Sequence, residues 1–229
     1  MKKNDKISDF FYFSENKLMK TIKKLFFPVI ILELTIMLCF AFFTFNSCAT
    51  TSSLEKKQEP LQLSRRLLDK GQLSSDQLTA YFISRNANAD QAHIRQFAQY
   101  YIDEAAAEGI NSDVAFAQMC LETGYLRFGG LVQPEFHNYC GLGAMDADHP
   151  GEVFPDEQTG VRAHIQHLQA YATKEETQLN KELVDPRYNW VHKTKYIETI
   201  YQLAGTWAMD PQYGQKLEAI LVNMENFSY

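Results

Sequence analysis

The sequence has no surplus of positive charge outside its first 47 residues. The whole chain has 22 Lys and Arg against 28 Asp and Glu. Seven of these cations and four of these acids precede Cys48, which leaves 22 − 7 = 15 cations against 28 − 4 = 24 acids, a net charge of −9. Proteins that bind nucleic acid need cations to replace the counterions of phosphate. An acidic body therefore argues against general nucleic-acid binding.

The chain also lacks the patterns of a repeat protein and of a metalloprotein. It contains no internal repeat and no long low-complexity segment. His164 and His167 are three residues apart, a spacing that suits a metal on a helix, but no third ligand follows at recognisable spacing. His149 beside Asp146 lacks the Cys or His partners of a zinc site. We expect no metal and no cofactor, and we interpret His164 and His167 as a solvated or hydrogen-bonded helix face.

A long apolar run occurs near the amino terminus. Residues Leu25–Phe45 are almost wholly apolar and follow Lys20, Lys23 and Lys24. This order is typical of a secretion signal, and the run is also long enough to span a bilayer as an uncleaved anchor. Cys48, which follows a small residue, resembles the lipidated cysteine of a bacterial lipoprotein.

These features predict three regions. Residues 1–47 would be a lipoprotein-type signal peptide or a membrane anchor, and the polar residues 48–60 a flexible tether. Residues 61–229 would form the folded domain, exported and held at a membrane in the cell envelope, and we expect it to be a monomer. Translation from Met19 instead of Met1 would give a signal of ordinary length.

The remaining pattern predicts a mainly α domain. Helical spacing of apolar residues is present from Leu61 onward and again in residues 196–203 and 213–221. The stretches Ser74–Asp76 and Asn111–Asp113 are expected to cap helices, and Gly109 and Gly124 to end them. Residues 128–155 are rich in Gly and Pro, which indicates a loop or short β-hairpin insertion.

Glu122 is the residue most indicative of chemistry. It lies at the last turn of a short apolar segment, just before Gly124. The carboxyl end of a helix carries partial negative charge and apolar neighbours withhold water, so both effects favour the protonated carboxyl. A carboxyl that stays neutral near pH 7 is suited to general acid catalysis.

Four segments in order resemble glycoside hydrolase family 73, the bacterial glucosaminidases. They are the Glu122 segment QMCLETGYLRFGG (118–130), NYCGLG (138–143), Phe154 with GVRAHIQHL (160–168), and WAMDPQYG (207–214). The resemblance covers about residues 75–229. It implies a lysozyme-like α fold that cleaves the β-1,4 bond after N-acetylglucosamine in peptidoglycan glycan strands. It also implies that Glu122 protonates the leaving oxygen.

The same resemblance suggests further site residues. Tyr213 matches the family's tyrosine and is expected to line the cleft, with a core tyrosine as the alternative. Asn138, Tyr139 and Gly141 would contact substrate: Asn138 holds the sugar or braces the loop, and Tyr139 offers a flat face for a sugar ring.

The partner of Glu122 is left open by the sequence. Glycosidases commonly use two carboxylates, although in some the substrate's own N-acetyl group replaces the second. Glu152 is our first choice, and Asp146, Asp148 and Asp156 are the other candidates. A lytic transglycosylase, which needs one catalytic acid, and a wall-binding protein without activity are the two alternative functions.

The two cysteines of the expected domain also leave an alternative open. Cys120 and Cys140 lie in segments that flank the expected cleft, and an exported domain permits a disulfide between them. Alternatively, Cys120 is an ordinary buried residue of an apolar helix, and too buried to be a nucleophile.

Overall fold

The folded part of the chain consists mainly of helices. A computed structural model describes residues 60–174, 176–194 and 196–229. Within them lie six α-helices: α1 Ser75–Arg85, α2 Gln91–Glu108, α3 Ser112–Thr123, α4 Glu157–Ala172, α5 Tyr188–Thr194 and α6 Tyr213–Glu225. Two short 3₁₀ helices span Pro134–Phe136 and Ile200–Leu203. The predicted mainly α class is confirmed.

The amino-terminal predictions fall outside these residues. The signal or anchor in residues 1–47, the lipidation of Cys48, the choice between Met1 and Met19, and the tether up to residue 59 all lie there. None of the helices in the described ranges combines the length and apolar character needed to cross a membrane.

Helix boundaries follow the predicted caps. The side chain of Ser74 accepts from the Gln77 N–H at the start of α1, and Asn111 accepts from the Asp113 N–H at the start of α3. Gly109 and Gly124 end α2 and α3 in the left-handed conformation, at φ 73° and 59°. A residue without a Cβ adopts this conformation at little cost, so these helices end where the sequence predicts.

Helix α3 lies at the centre of the domain. Every residue from Ser112 to Cys120 is buried. The helix packs against α1, α2, α4 and α6, so over most of its length no side of the helix faces solvent. Glu122 is the first residue of α3 that is exposed to solvent. The central helix of the core therefore delivers one acid to the surface.

The helical pattern predicted from Leu61 onward is wrong for residues 61–74. This segment is extended, with isolated bridges from Arg66 to Thr199 and from Leu68 to Ile110. Leu63 and Leu67, four residues apart, are buried against the core, which explains the helical-looking spacing, whereas Leu68 is 37% exposed. Arg65 fixes the segment to α6 through ion pairs with Glu218 and Glu225.

The predicted helix over residues 196–203 is also incorrect. Only Ile200–Leu203 is helical, as a 3₁₀ turn, while the preceding α5 was not predicted. The chain reverses after Leu203, whose carbonyl accepts from the Trp207 N–H at 2.9 Å. This turn places Trp207 ahead of α6.

The expected insertion is a loop. Between α3 and α4 the described backbone has one isolated bridge, Asp146 to His149, and a 3₁₀ turn. Gly160 in α4 holds this loop close, because a Cβ at Gly160 would lie 1.8 Å from the His137 carbonyl oxygen. The loop therefore packs directly against the first turn of α4.

We expect Gly160→Ala to lower the free energy of unfolding by about 2 kcal/mol or more, because the new methyl would overlap backbone that cannot rotate away. Urea denaturation measures the change. Gly130→Ala is the matched control, because no atom lies within 4 Å of its Cβ position. Equal stability of the two variants would contradict the close packing of the loop on α4.

Candidate active site

The carboxyl group of Glu122 is held by two donors from the carboxyl-terminal part of the chain. The Trp207 indole Nε1 donates to Glu122 Oε1 at 3.0 Å. The Tyr213 hydroxyl, at the start of α6, donates to the same oxygen. Two segments some 90 residues further along the chain thus converge on one oxygen of one acid.

The second oxygen of Glu122 is left for other chemistry. Within the described residues, both hydrogen bonds of this carboxyl use Oε1. An oxygen that already accepts from two donors is a poor site for a proton. When Glu122 is protonated, its proton therefore resides on Oε2.

The Glu122 pKa is raised above its ordinary value, the direction that the sequence predicts. Although solvent reaches this residue, the protein around the carboxyl removes much of its water, and this desolvation is the largest effect. The hydrogen bonds from Tyr213 and Trp207 favour the ionised form and oppose the rise. Burial outweighs them, so the acid form persists to a higher pH than in a free glutamate.

A buried hydrogen-bonded chain continues from Tyr213 into the core. Gln118 Nε2 donates to the Tyr213 hydroxyl at 2.8 Å, and Gln118 Oε1 lies 3.0 Å from His164 Nε2. His164 Nδ1 lies 2.9 Å from the Tyr101 hydroxyl. Because an amide oxygen only accepts, His164 carries its hydrogen on Nε2 and accepts from Tyr101.

This arrangement requires a neutral imidazole. Complete burial, aided by the nearby His167, lowers the pKa of His164 to about 3. Every donor from Tyr101 to Tyr213 then points toward Glu122. The chain fixes the position and the hydrogen-bond polarity of the Tyr213 hydroxyl.

Glu122 opens into a cavity of about 240 Å³. Its walls are the turn after α3 and the loop before α4, with Phe128, Asn138 and Gly141 among the lining residues. Gly141 has φ 67°, a conformation that favours glycine, and it brings bare backbone to the wall. Gly141 therefore lines the same cavity as Glu122, and its predicted contact with substrate stays a prediction.

Asn138 braces the loop. Its Nδ2 donates to the carbonyls of Leu142 and Glu152 at 2.8 and 3.1 Å. Its Oδ1 accepts from the Leu142 N–H at 2.9 Å. These bonds use its amide group for the shape of the cavity wall, which is the second of the two roles predicted for it.

The predicted sugar-stacking face of Tyr139 is wrong for this structure. The residue is only 3% exposed. It packs edge-on against Phe97, with ring centroids 4.6 Å apart, and its hydroxyl lies 3.3 Å from His137 Nδ1. Tyr139 is a core residue of the domain, and a sugar cannot reach its face.

The loop acids differ in their roles. Asp146 accepts from the backbone and ring of His149, whose bond is the largest cause of a lowered Asp146 pKa. Asp156 caps α4 by accepting from the Thr159 N–H, which lowers its pKa. Both acids stabilise turns, and Asp148 is exposed on the same turn as Asp146.

Glu152, the preferred partner of Glu122, lies on the loop that forms the cavity wall. Its Oε1 is 3.0 Å from the Cβ position of Gly143, and its backbone pairs with Leu142 and Asn138. Its side chain is not among those that line the Glu122 cavity. Its role as the second carboxylate stays a prediction.

The two cysteines and two of the histidines singled out from the sequence are buried in the domain. Cys120 and Cys140 are both buried free thiols, so the disulfide alternative is incorrect. His164 and His167 are buried, and each has a hydrogen-bond partner; for His167 it is Asp185, at 2.8 Å. They are therefore hydrogen bonded and not solvated. No group of three potential ligands in the described ranges is placed to hold a metal.

Three site residues were missed by the sequence analysis. Trp207 was noted only as the first residue of the WAMDPQYG segment, although an indole N–H near a cleft commonly seeks an acceptor. Gln118 is the one polar residue of the buried run from Val114 to Cys120, and such a residue needs a buried partner. His164 supplies that partner, from a helix 46 residues further along the chain.

Comparison with known proteins assigns the fold family. Residues 98–226, more than half of the chain, match the family described as glucosaminidase, mannosyl-glycoprotein endo-beta-N-acetylglucosaminidase. The chain belongs to this glucosaminidase family. Membership supports a function of the peptidoglycan-hydrolase kind. The matched residues include Glu122, Trp207 and Tyr213.

One similar protein is itself uncharacterized and therefore gives no information on function. An uncharacterized protein of Borreliella burgdorferi (strain ATCC 35210) is 40% identical over 162 residues, which cover 71% of this chain and 78% of that protein. No solved structure matches the chain.

The raised Glu122 pKa predicts a pH-dependent gain in stability for Glu122→Gln. Below the ordinary carboxyl pKa of 4.5 the group is neutral in both states. As pH rises through the higher folded pKa, ionisation costs the folded protein stability that glutamine does not lose. Urea denaturation should find the variant more stable at about pH 7, with the difference shrinking near about pH 4.

The exposed Glu135→Gln serves as the control for loss of a carboxylate, because Glu135 lies outside the Glu122 cavity. A Glu122→Gln variant that is less stable than wild type at neutral pH would contradict the dominance of desolvation at this carboxyl.

Proposed function

We propose that this protein is an endo-β-N-acetylglucosaminidase that cleaves the glycan strands of peptidoglycan, with Glu122 as the general acid. The observation that carries the proposal is the geometry of its carboxyl. Trp207 and Tyr213 hold Oε1, while Oε2 is left to carry a proton into the cleft. Membership of the glucosaminidase family supplies the substrate class.

The chemistry required of Glu122 follows from the bond that breaks. Cleavage of a glycosidic bond develops positive charge on the sugar and negative charge on the leaving oxygen, which takes the proton from Oε2. The resulting carboxylate receives hydrogen bonds from Trp207 and Tyr213, which stabilise the new charge. Tyr213 thus assists catalysis through Glu122, and its rigidity comes from Gln118 behind it.

The positive charge on the sugar needs a second group. Glu152 could stabilise this positive charge with its carboxylate if the loop moved. The N-acetyl oxygen of the substrate could stabilise it without such movement. Among the described residues that line the Glu122 cavity, Glu122 has the only carboxylate. This observation favours assistance by the substrate, and it equally favours the alternative of a lytic transglycosylase.

Digestion of purified peptidoglycan tests the proposal. Wild type should release fragments with a reducing N-acetylglucosamine end, and Glu122→Gln should lower the initial rate by at least about 100-fold, because it cannot donate a proton. Mass spectrometry identifies the ends. Glu135→Gln, an exposed acid outside the cavity, should retain the wild-type rate.

Other outcomes assign the alternatives. Anhydro-muramyl ends would replace the proposal by a transglycosylase, and no turnover by wild type would indicate a wall-binding protein. Glu152→Gln in the same digest decides the second group. A rate near that of wild type supports assistance by the substrate's N-acetyl group, whereas a loss as large as that of Glu122→Gln supports a carboxylate pair.

We also propose that the domain is exported and attached to a membrane through lipidated Cys48. The support is the apolar run Leu25–Phe45 after three lysines, with a cysteine shortly behind it. Cells fed a labelled palmitate should incorporate the label into wild type and not into Cys48→Ala. Unlabelled wild type that still sediments with membranes would indicate an uncleaved anchor instead.

A further inference from the structure

A second cavity adjoins the one that contains Glu122. It has a volume of about 290 Å³, and Gly141 and Ala144 line both cavities. Trp207 also lines it, while its indole N–H bonds to Glu122. A polymer that occupies both cavities therefore passes directly beside the Glu122 carboxyl.

Trp190 presents an indole ring to solvent in this second cavity. The residue is 59% exposed, although it lies on α5 next to Val191, which is 1% exposed and part of the core. A single exposed apolar residue needs no explanation by itself, but this tryptophan lines a cavity that adjoins the Glu122 cavity. Its flat apolar face matches the apolar face of a sugar ring, whereas the rings of Tyr171 and Trp207 are already packed against each other.

Arg187 lies beside Trp190 with an unneutralised charge. Its guanidinium carbon lies over one face of the Trp190 indole, 6.0 Å from the ring centre, so a sugar would stack on the opposite face. In the described part of the chain its side chain has no carboxylate partner, and no acidic residue lines this cavity. Its backbone is fixed, because its N–H donates to Asp185 at 2.8 Å and Asp185 is held by His167.

The negative net charge of the domain makes Arg187 a selective binding point for anionic groups. The chain after Cys48 has a net charge of −9, obtained above from 15 cations and 24 acids. Such a body repels anions at long range, so an anionic group binds only where a local cation offsets that field. Arg187 is placed to do so, and a guanidinium binds a carboxylate through two parallel hydrogen bonds.

We propose that the second cavity is a subsite for a glycan residue that carries a carboxylate, with the sugar ring stacked on Trp190 and the carboxylate paired with Arg187. This inference rests on the proposed function. It specifies that a carboxylate-bearing residue of the glycan strand occupies the cavity beyond Trp207. The carboxylate has two sources in peptidoglycan: the free lactyl group of a muramic acid without peptide, or the acidic residues of a stem peptide.

Binding measurements in a Glu122→Gln background test the inference without turnover. Three purified probes are compared by calorimetry: strands with stem peptides, strands with the peptides removed by an amidase, and uncharged N-acetylglucosamine oligomers. Arg187→Gln should weaken binding of a carboxylate-bearing strand about 10-fold and leave the uncharged oligomer within about 2-fold. The strand that loses affinity identifies the source of the carboxylate.

Trp190→Ala should weaken all three probes about 10-fold, because stacking does not depend on charge. The Arg187-dependent part should diminish as salt is added, since the pair is exposed. Lys70→Gln removes an exposed cation outside this cavity and should change nothing. Circular dichroism on each variant confirms that it folds.

Failure of this inference is distinguishable from failure of the proposed function. Unchanged affinity of Arg187→Gln for both charged strands, equal loss for charged and uncharged probes, or no binding of any strand would overturn the subsite. Wild type would still cleave peptidoglycan in each of these cases if the proposed function holds. A wild type that binds strands through Arg187 but leaves them intact would instead overturn the hydrolase and retain the subsite.

Discussion

The hydrogen bond between the Tyr213 hydroxyl and Glu122 is the interaction on which the site depends. It joins the last turn of α3 to the first turn of α6, two helices that pack together in the core. Without it, the Trp207 indole alone would hold the Glu122 carboxyl at the end of its helix. With it, one carboxyl oxygen has a fixed place, and the position of the other follows.

The rest of the domain can be understood as support for this bond. Helix α3 is buried on all sides until it reaches Glu122, so the carboxyl has a rigid base. Tyr213 is held from behind by Gln118, which His164 and Tyr101 hold in turn. The same elements also shape the cavity, because the loop after α3 is braced by Asn138 and seated on α4 through Gly160. Polar groups in a core stabilise a fold only when all of them are satisfied, and these are.

Local signals in the sequence were sufficient to predict most of the helices. Caps such as Asn111 and stops such as Gly124 act through their own neighbours, so a single segment contains the information. The non-helical segment at residues 61–74 has helix-like spacing because three of its leucines, Leu63, Leu67 and Leu73, are buried in the core. Glu122 was predictable from its motif. Its contacts were not, because Trp207 and Tyr213 approach it from about 90 residues away, and the burial of Tyr139 likewise depends on Phe97 in another helix.

The direction of the buried hydrogen-bonded chain limits how Glu122 can regain a proton. Each donor from Tyr101 onward already points at Glu122 Oε1, and the neutral His164 at its centre resists a further proton. The buried chain of hydrogen bonds is therefore unbroken, but it does not conduct protons to Glu122. Under the proposed function, a Glu122 that has given up its proton regains one at Oε2, from the water on the cleft side that completes hydrolysis. The core therefore holds the carboxyl in place, whereas proton exchange takes place on the cleft side.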